Sequence, residues 1–318
     1  MVSLDAIRAS NKRITSALPP GLVAVFAGGT SGIGETSLKQ FVQNANQPRV
    51  YFIGRSQEAG DRITAELKVI NSGGTYTFTK SDTSLLANVD EVCREIKSKE
   101  PVINLLFLTI GALIFGTGSQ KQKKAFITPC RSSPSLRRVV TVLAGGKEGQ
   151  IFQDDFQGRK VPMASGRGHS AAMTTLSLEI MAQKAPNVSF LHVYPGFVKT
   201  GISRGSTGAL MTAMKVVSAV VSPFLSIPFV ECGERHVFLA TSARFPPSEG
   251  VPMGTGVGVA VGSDGESGSV VYPVNYEGEV AGPKVLKVLA DARRDGIPEK
   301  LWEHTEEEFV RITGQVAI

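Results

Sequence analysis

Short apolar runs alternate with amphipathic stretches along most of the chain. A short apolar run is typical of a buried strand, and apolar residues three or four positions apart are typical of one helix face. Their alternation is the order that parallel β-α-β units require, so the chain is predicted to be an α/β protein with a Rossmann-type, doubly wound parallel sheet. The pattern predicts strands at 22–26, 50–53, 76–80, 103–108, 138–143, 189–194 and 270–274, and helices at 31–44, 57–70, 86–99, 170–183, 234–241 and 298–313.

The length of the chain favours a single domain. Its 318 residues, of which 42% are hydrophobic, suffice for one large α/β domain and are marginal for two. We expect one domain over residues 1–318, with a core at about 20–245, a lid-like insertion at about 205–230 and a C-terminal extension at about 246–318. The glycine-rich sequence from Gly250 to Gly268 predicts a loop within that extension.

One segment, Leu210–Val230, is apolar apart from Lys215 and a few serines and threonines. It is about as long as the ~20 residues that cross a bilayer, but Pro223 and Pro228 interrupt its second half. The pattern favours a buried or lid helix followed by a loop. The alternative is an interfacial patch that makes peripheral contact with a membrane, or admits an apolar substrate.

Charge and cysteine content exclude several classes of protein. The net charge is +6, but no block of lysines and arginines concentrates it, so a nucleic-acid partner is not expected. The three cysteines, Cys93, Cys130 and Cys232, are far apart and form no paired motif, and the histidines fall on separate elements. We therefore expect no metal site and no disulfide framework. The first twenty residues are charged and lack a long apolar core, so we expect a cytoplasmic protein without a secretory signal.

The glycine-rich stretch Ala27–Gly34 carries the clearest chemical signal. It follows a predicted strand and opens a predicted helix, the arrangement that binds a dinucleotide pyrophosphate. Glycines allow a tight turn and close approach of the backbone to the phosphates, and the helix N-terminus offers free N–H groups. The predicted contacts are Gly28, Thr30, Ser31, Gly32, Ile33 and Gly34.

Three further segments follow the glycine turn in the order and at the spacing of a known family: Ile53–Ser56, Ser81–Thr83 and Pro195–Thr200. Together with the turn they resemble the short-chain dehydrogenase/reductase family over about residues 20–245. The resemblance implies that Asp82 binds the adenine edge. It also implies cofactor contacts near the nicotinamide from Gly111, Pro195, Gly196, Val198 and Thr200.

The residue at the end of the second strand bears on the choice of cofactor. NAD-specific members of the family usually carry an acid there, which holds the ribose 2′-hydroxyl. This chain has Gly54 followed by Arg55, and a guanidinium suits a 2′-phosphate. NADP(H) is therefore favoured over NAD(H); the alternative is that Arg55 is a solvated loop charge.

The positions that the resemblance assigns to catalysis are altered. The family's Asn-Asn-Ala-Gly corresponds to Leu108–Gly111, in which only Gly111 is retained. Its Ser corresponds to Ala144, and counting back from the end of the following helix places its Tyr at Pro162 and its Lys at Gly166. In the family the Tyr transfers the proton, the Lys lowers its pKa and the Ser steadies the carbonyl, so none of these three groups is in place.

Two residues near the start of that helix are candidates to replace them. His169 has an intrinsic pKa in the useful range, and Arg167 is able to bind phosphate or polarise a carbonyl. The alternative is that His169 only caps or packs the helix start. Tyr194 directly precedes Pro195, where it either faces the nicotinamide pocket or simply ends the strand.

The interval between Gly111 and Arg138 is short, basic and without helical periodicity. In the family it holds a long helix that often forms the dimer interface, so this chain has either a truncation or an error in its gene model. A truncation would leave apolar sheet surface exposed unless another chain or the C-terminal region covers it. The oligomeric state is therefore left open.

Two functions remain. The first is an NADP(H)-dependent oxidoreductase of a small apolar carbonyl or alcohol, with a proton from water or His169; by analogy it resembles reductases of fungal secondary metabolism. The second is a catalytically impaired or non-redox descendant that binds NADP or a lipophilic molecule.

Overall fold

The computed structural model describes residues 2–109, 135–199, 226–248 and 258–314. Seven strands form one sheet in the order β3-β2-β1-β4-β5-β6-β7, and every neighbouring pair is parallel. The order reverses between β1 and β4, as in a doubly wound Rossmann-type fold, so the predicted fold class is confirmed. The strands are β1 (Val23–Ala27), β2 (Arg49–Gly54), β3 (Thr75–Lys80), β4 (Leu105–Leu108), β5 (Arg138–Val142), β6 (Ser189–Tyr194) and β7 (Val271–Asn275).

Helices cover both faces of the sheet. In the described residues they are α1 (Leu4–Lys12), α2 (Ile14–Ala17), α3 (Gly32–Asn44), α4 (Gln57–Ile70), α5 (Leu86–Lys99), α6 (Met163–Lys184), α7 (Phe229–Thr241), α8 (Pro283–Arg294) and α9 (Ile297–Thr313). On one face, α3 and α7 pack against the sheet and against each other, while α5 and α6 pack on the other face.

Alternation along the strands explains the two layers of the core. Ala24 and Phe26 of β1 pack towards α3, whereas Val23 and Val25 pack towards α5. Successive side chains of a strand point to opposite faces, and a parallel strand covered on both sides is apolar at every position. Four apolar residues of α5 that lie three or four positions apart are all buried and form the face that packs on the sheet: Val89, Val92, Cys93 and Ile96.

Some helix boundaries differ from the predictions. The helix predicted at 170–183 begins at Met163, because α6 is buried on most of its surface and so lacks a polar face, and because Gly166 and Gly168 weaken the helical signal. The helix predicted at 234–241 begins at Phe229. Helices α1, α2 and α8 were not predicted; α1 packs on α7, with Asn11 Nδ2 donating to the Glu234 carbonyl at 2.8 Å.

The C-terminal residues complete the sheet and cover α6. Strand β7 pairs with β6, and α8 and α9 bury one apolar cluster against α6. Arg293 of α8 also donates twice to Glu179 of α6, at 2.9 Å each. The side chains of Trp302 and Phe309 on α9 are half-buried. The cluster consists of Met173, Leu176, Leu289, Ala292, Ile297 and Leu301.

Several predictions concern residues that lie outside the described part of the chain. These residues are 110–134, which make up most of the short interval before Arg138, and 210–225 of the apolar segment. The predicted lid and its membrane contact therefore stay predictions. The division into core, lid and extension also stays a prediction. Among the described residues, no helix is both long enough and apolar enough to cross a membrane.

Candidate functional site

The turn between β1 and α3 has the shape of a phosphate cradle. Gly28 and Gly32 have φ angles of +88° and +56°, a region that residues with a side chain rarely adopt. The backbone N–H of Gly28 donates to the Ile53 carbonyl at 3.1 Å, which anchors the turn to β2. The N-cap residue Ser31 makes no side-chain capping bond, so the first N–H groups of α3 remain available to an anion.

The start of α3 lies directly against the turn and against the end of β4. A Cβ at Gly34 would overlap the Gly28 carbonyl oxygen and would lie 2.6 Å from Thr109 Oγ1, so only glycine fits there. Thr109 occupies the place of an Asn in the family pattern. Its hydroxyl lies 3.2 Å from the Ala27 carbonyl oxygen and 3.3 Å from that of Gly28, and so ties the turn to β4 at the point where the strand order reverses.

The end of β2 is shaped by Thr30. A Cβ at Gly54 would lie 2.8 Å from Thr30 Cβ and would overlap the rest of that side chain. An acidic side chain at residue 54 therefore has no room while Thr30 holds this position. The next residue, Arg55, is exposed and forms no ion pair within the part of the chain that the structure describes.

Asp82, the predicted adenine contact, lies close to Arg55. Its Oδ1 accepts the backbone N–H of Ser84 at 3.0 Å. Hydrogen bonds from Ser84 lower the pKa of the Asp82 carboxyl, and the charge of Arg55 lowers it further. The structure thus brings the predicted adenine and ribose contacts together at the ends of β2 and β3.

The Pro195–Gly196 turn follows β6 at the same edge of the sheet. Gly196 has a φ of +75°, and a Cβ there would lie 2.7 Å from the ring of Tyr276. The turn is held from the other side by Ile227, whose N–H donates to the Phe197 carbonyl at 2.9 Å. Of the other predicted nicotinamide contacts, Val198 is half-buried, and Gly111 and Thr200 lie outside the described residues.

A buried polar network lies beneath the position of the missing Ser. The N–H of Ala144 donates to His192 Nε2 at 3.1 Å, so the imidazole is neutral and carries its proton on Nδ1. His192 Nδ1 lies 2.8 Å from Thr175 Oγ1, which donates to Glu148 Oε1 at 2.7 Å. This network joins β5, β6 and α6, and all its side chains are buried.

Sequence reasoning missed this network. The available signal was a histidine within the otherwise apolar strand β6, together with a glutamate two residues after a pair of glycines. Neither residue indicates its partner, because Glu148, Thr175 and His192 meet only when β5, β6 and α6 are packed.

The first turn of α6 has no acid–base side chain at the expected places. Pro162 is the N-cap, and a Cβ at Gly166 would meet nothing within 4 Å. His169 is 1% exposed; its Nδ1 accepts the N–H of Phe152 at 3.3 Å, and burial lowers its pKa. Arg167 is exposed. A catalytic role for His169 or Arg167 stays a prediction.

Two of the three thiols and one further imidazole are buried in the core. Cys93 and Cys232 are buried, and burial raises the pKa of each thiol to about 12. His236 is buried on α7, where desolvation lowers its pKa to about 4. Among the described residues, no cluster of three or more His, Cys, Asp or Glu side chains is arranged to hold a metal.

Relatives of similar length are named as oxidoreductases. An oxidoreductase of Emericella nidulans is 36% identical over 331 aligned residues, which cover 96% of this chain and 97% of the relative. The short-chain dehydrogenase/reductase SAT2 of Stachybotrys chartarum is 26% identical over 353 aligned residues, covering 96% of each chain. No protein-family model matches the chain.

Solved structures with the same fold share little sequence with this chain. The Pseudomonas aeruginosa RhlG/NADP active-site complex has a TM-score of 0.51 at 15% identity, covering 72% of this chain and 93% of its own. YwfH, an NADPH-dependent reductase involved in bacilysin biosynthesis, has a TM-score of 0.52 at 13% identity, covering 70% of this chain and 91% of its own. At such identities the likeness concerns the fold alone.

Proposed function

Since the chain belongs to the short-chain dehydrogenase/reductase family as a divergent member, we propose that it is an NADP(H)-dependent oxidoreductase of a small apolar carbonyl or alcohol. We also propose that the reaction belongs to secondary metabolism. The observation that carries the proposal is the cradle between β1 and α3 at the switch point of the sheet, where Gly28 and Gly32 have positive φ angles, only glycine fits at residue 34, and Ser31 does not cap the first N–H groups of the helix. A nicotinamide cofactor bound there supplies the hydride, while the protein orients it.

The preference for NADP(H) rests on the end of β2. Thr30 leaves no room for an acid at residue 54, and Arg55 offers an exposed guanidinium where a 2′-phosphate would lie. The structures of similar fold that are named for NADP or NADPH support a nicotinamide cofactor, although they share little sequence.

The apolar substrate is supported by side chains at the carboxyl edge of the sheet. Leu143 follows β5, Phe197 follows the Pro-Gly turn, and Phe229 opens α7; they are 37%, 39% and 46% exposed. Apolar surface next to the predicted nicotinamide contacts suits an apolar carbonyl compound, because its burial there removes hydrophobic area from water.

Two measurements test the proposal. Titration of the purified protein is expected to give tighter binding of NADPH than of NADH. A panel of apolar ketones and aldehydes is expected to contain at least one compound that causes NADPH oxidation, with the alcohol as product. Equal affinities would contradict the NADP(H) preference, and binding without turnover of any compound would contradict the reaction.

The second candidate function is a cofactor-binding protein with impaired or no redox activity. A specific observation favours it: the family positions of Ser, Tyr and Lys are Ala144, Pro162 and Gly166. Binding of NADPH and of a lipophilic molecule without turnover would support this second candidate. The names of the relatives favour the first.

A further inference from the structure

The chain has five tyrosines, and the structure describes all of them. Three lie towards the amino ends of their strands with the hydroxyl in a hydrogen bond: Tyr51 with Glu100 Oε1, Tyr76 with the Asn71 carbonyl, and Tyr272 with the Pro246 carbonyl. The other two, Tyr194 and Tyr276, lie at the carboxyl edge of the sheet, where ligands bind in this class of fold. The choice of a substrate-facing tyrosine is therefore between these two.

Tyr194 has the more favourable position of the two. It is the last residue of β6 and directly precedes the Pro195–Gly196 turn, which is predicted to contact the nicotinamide. Side chains of a strand alternate between faces, and His192, two residues earlier, contacts Thr175 of α6. Tyr194 therefore points to the same face of the sheet as α6, the helix on which the family carries its own Tyr and Lys. Its side chain is half-buried.

A lysine lies beside this tyrosine. Lys147 Nζ is 5.3 Å from the ring centroid of Tyr194. The side chain of Lys147 is exposed and forms no ion pair within the described residues, so its charge is not neutralised by a carboxylate there. A neighbouring ammonium stabilises the negative charge that develops on a phenol oxygen as the phenol gives up its proton.

The backbone around Lys147 is held in place on both sides. The N–H of Lys147 donates to the Ala144 carbonyl at 3.0 Å, and the N–H of Gly149 donates to the Gly168 carbonyl at 3.0 Å. Between them, Glu148 is anchored through Thr175 by the buried network. The lysine therefore extends from a fixed point at the end of β5, next to the end of β6.

We propose that Tyr194 is the proton donor of the reaction and that Lys147 stabilises its phenolate, an assignment that rests on the proposed function. As the carbonyl carbon accepts the hydride, the π electron pair of the C=O bond moves to the oxygen. Tyr194 Oη gives its proton to that oxygen, which yields the alcohol, and a water molecule then reprotonates the phenolate. The oxidation of NADPH to NADP⁺ balances the reduction of the carbonyl.

The first test compares two matched variants. Tyr194→Phe removes the hydroxyl but keeps the ring under Lys147, and kcat is expected to fall about 100-fold or more with little change in the Kd for NADPH. Tyr276→Phe is the control, because Tyr276 is also half-buried at this edge, with the Arg235 guanidinium 5.5 Å from its ring centroid. We expect the control to change kcat by less than about threefold, since it loses no proton donor.

Two variants test the charge of Lys147, one that removes it and one that keeps it. Lys147→Met is expected to lower kcat by about tenfold or more, and Lys147→Arg to restore most of it, because the positive charge and not the amine assists the phenolate. A purely structural role of the side chain would instead change KM or stability and would not be rescued by the arginine.

A labelling experiment gives a readout that needs neither cofactor nor substrate. An arylsulfonyl fluoride reacts with phenolates, so mass spectrometry of the labelled protein is expected to show faster modification at Tyr194 than at Tyr276, whose pKa is raised by burial. Lys147→Met is expected to remove the difference.

The outcomes separate the two proposals. A wild-type protein that oxidises no NADPH with any carbonyl overturns the proposed function and this assignment with it. A Tyr194→Phe enzyme as fast as the wild type overturns the assignment alone, and so does equal labelling of the two tyrosines in the wild-type protein.

Discussion

The cradle between β1 and α3 and the predicted catalytic region around β5 and α6 retain the family pattern to different extents. In the cradle, the glycines of the family pattern are present and sterically required, since a Cβ at Gly34 would overlap a backbone oxygen. Around β5 and α6, the packing is equally close, with a buried network beneath Ala144, but the expected reactive side chains are absent. We therefore expect cofactor binding and proton transfer to be separable, because each depends on different atoms of the same fold.

The largest effect is expected from a substitution at the start of α3, with the start of α6 as its control. Gly34→Val places a branched side chain against the Gly28 carbonyl and Thr109, and we expect NADPH affinity to fall more than about 100-fold because the helix start must move away from the phosphates. The matched control is Gly166→Val in the first turn of α6, where nothing lies within 4 Å of the added Cβ. Calorimetric titration measures both; equal affinities of the two variants would show that the cradle does not bind the cofactor.

Arg55→Ala tests the specificity of the cradle. Loss of a charged hydrogen bond to the 2′-phosphate is expected to weaken NADPH binding by about 1–3 kcal/mol and to leave NADH unchanged. Arg159→Ala serves as the control, because Arg159 is an exposed arginine of the segment between β5 and α6. The ratio of the two dissociation constants is measured by titration, and an unchanged ratio in Arg55→Ala would show that this arginine is only a solvated charge.

The acid stability of the protein is expected to depend on His236, on the helix that packs behind the cradle. Burial lowers the pKa of this imidazole from its usual 6.5 to about 4, so the unfolded chain binds a proton that the native protein excludes. Stability is therefore retained above pH 6.5 and is lost as the pH falls towards 4, by about 2 kcal/mol between pH 7 and pH 5. Urea unfolding measures it, and His236→Leu is expected to flatten the dependence; the same slope in both proteins would contradict the assignment.

The smallest effect is expected at His169 in the catalytic region. In the native protein the buried His169 ring accepts the N–H of Phe152 and packs edge-on against its ring, with centroids 5.8 Å apart. In His169→Gln the amide oxygen is able to accept the same N–H. We expect kcat to change by less than about threefold, because the proposed donor is Tyr194. A fall of tenfold or more in a folded variant would instead make His169 the donor and would contradict the role of Tyr194.

Local patterns in the sequence determined the fold class and the cradle. Apolar runs and helical spacing act over a few residues, so β6 and α4 were predicted with their observed bounds, Ser189–Tyr194 and Gln57–Ile70. Glycine positions indicated the turn after β1, since the positive φ angles at Gly28 and Gly32 favour glycine in any fold. The start of α6 was predicted wrongly, because a helix buried on most sides has no periodic signal.

The tertiary structure alone decided which polar groups meet. Parallel pairing of β5 with β6 places Val142 beside Val193, and this register brings Lys147 to the ring of Tyr194 although the two are far apart in sequence. Packing of α6 on these strands likewise joins Glu148 and His192 through Thr175. The sequence determines each element through short-range periodicity and backbone preference, whereas contacts between elements depend on register and packing, which no local pattern records.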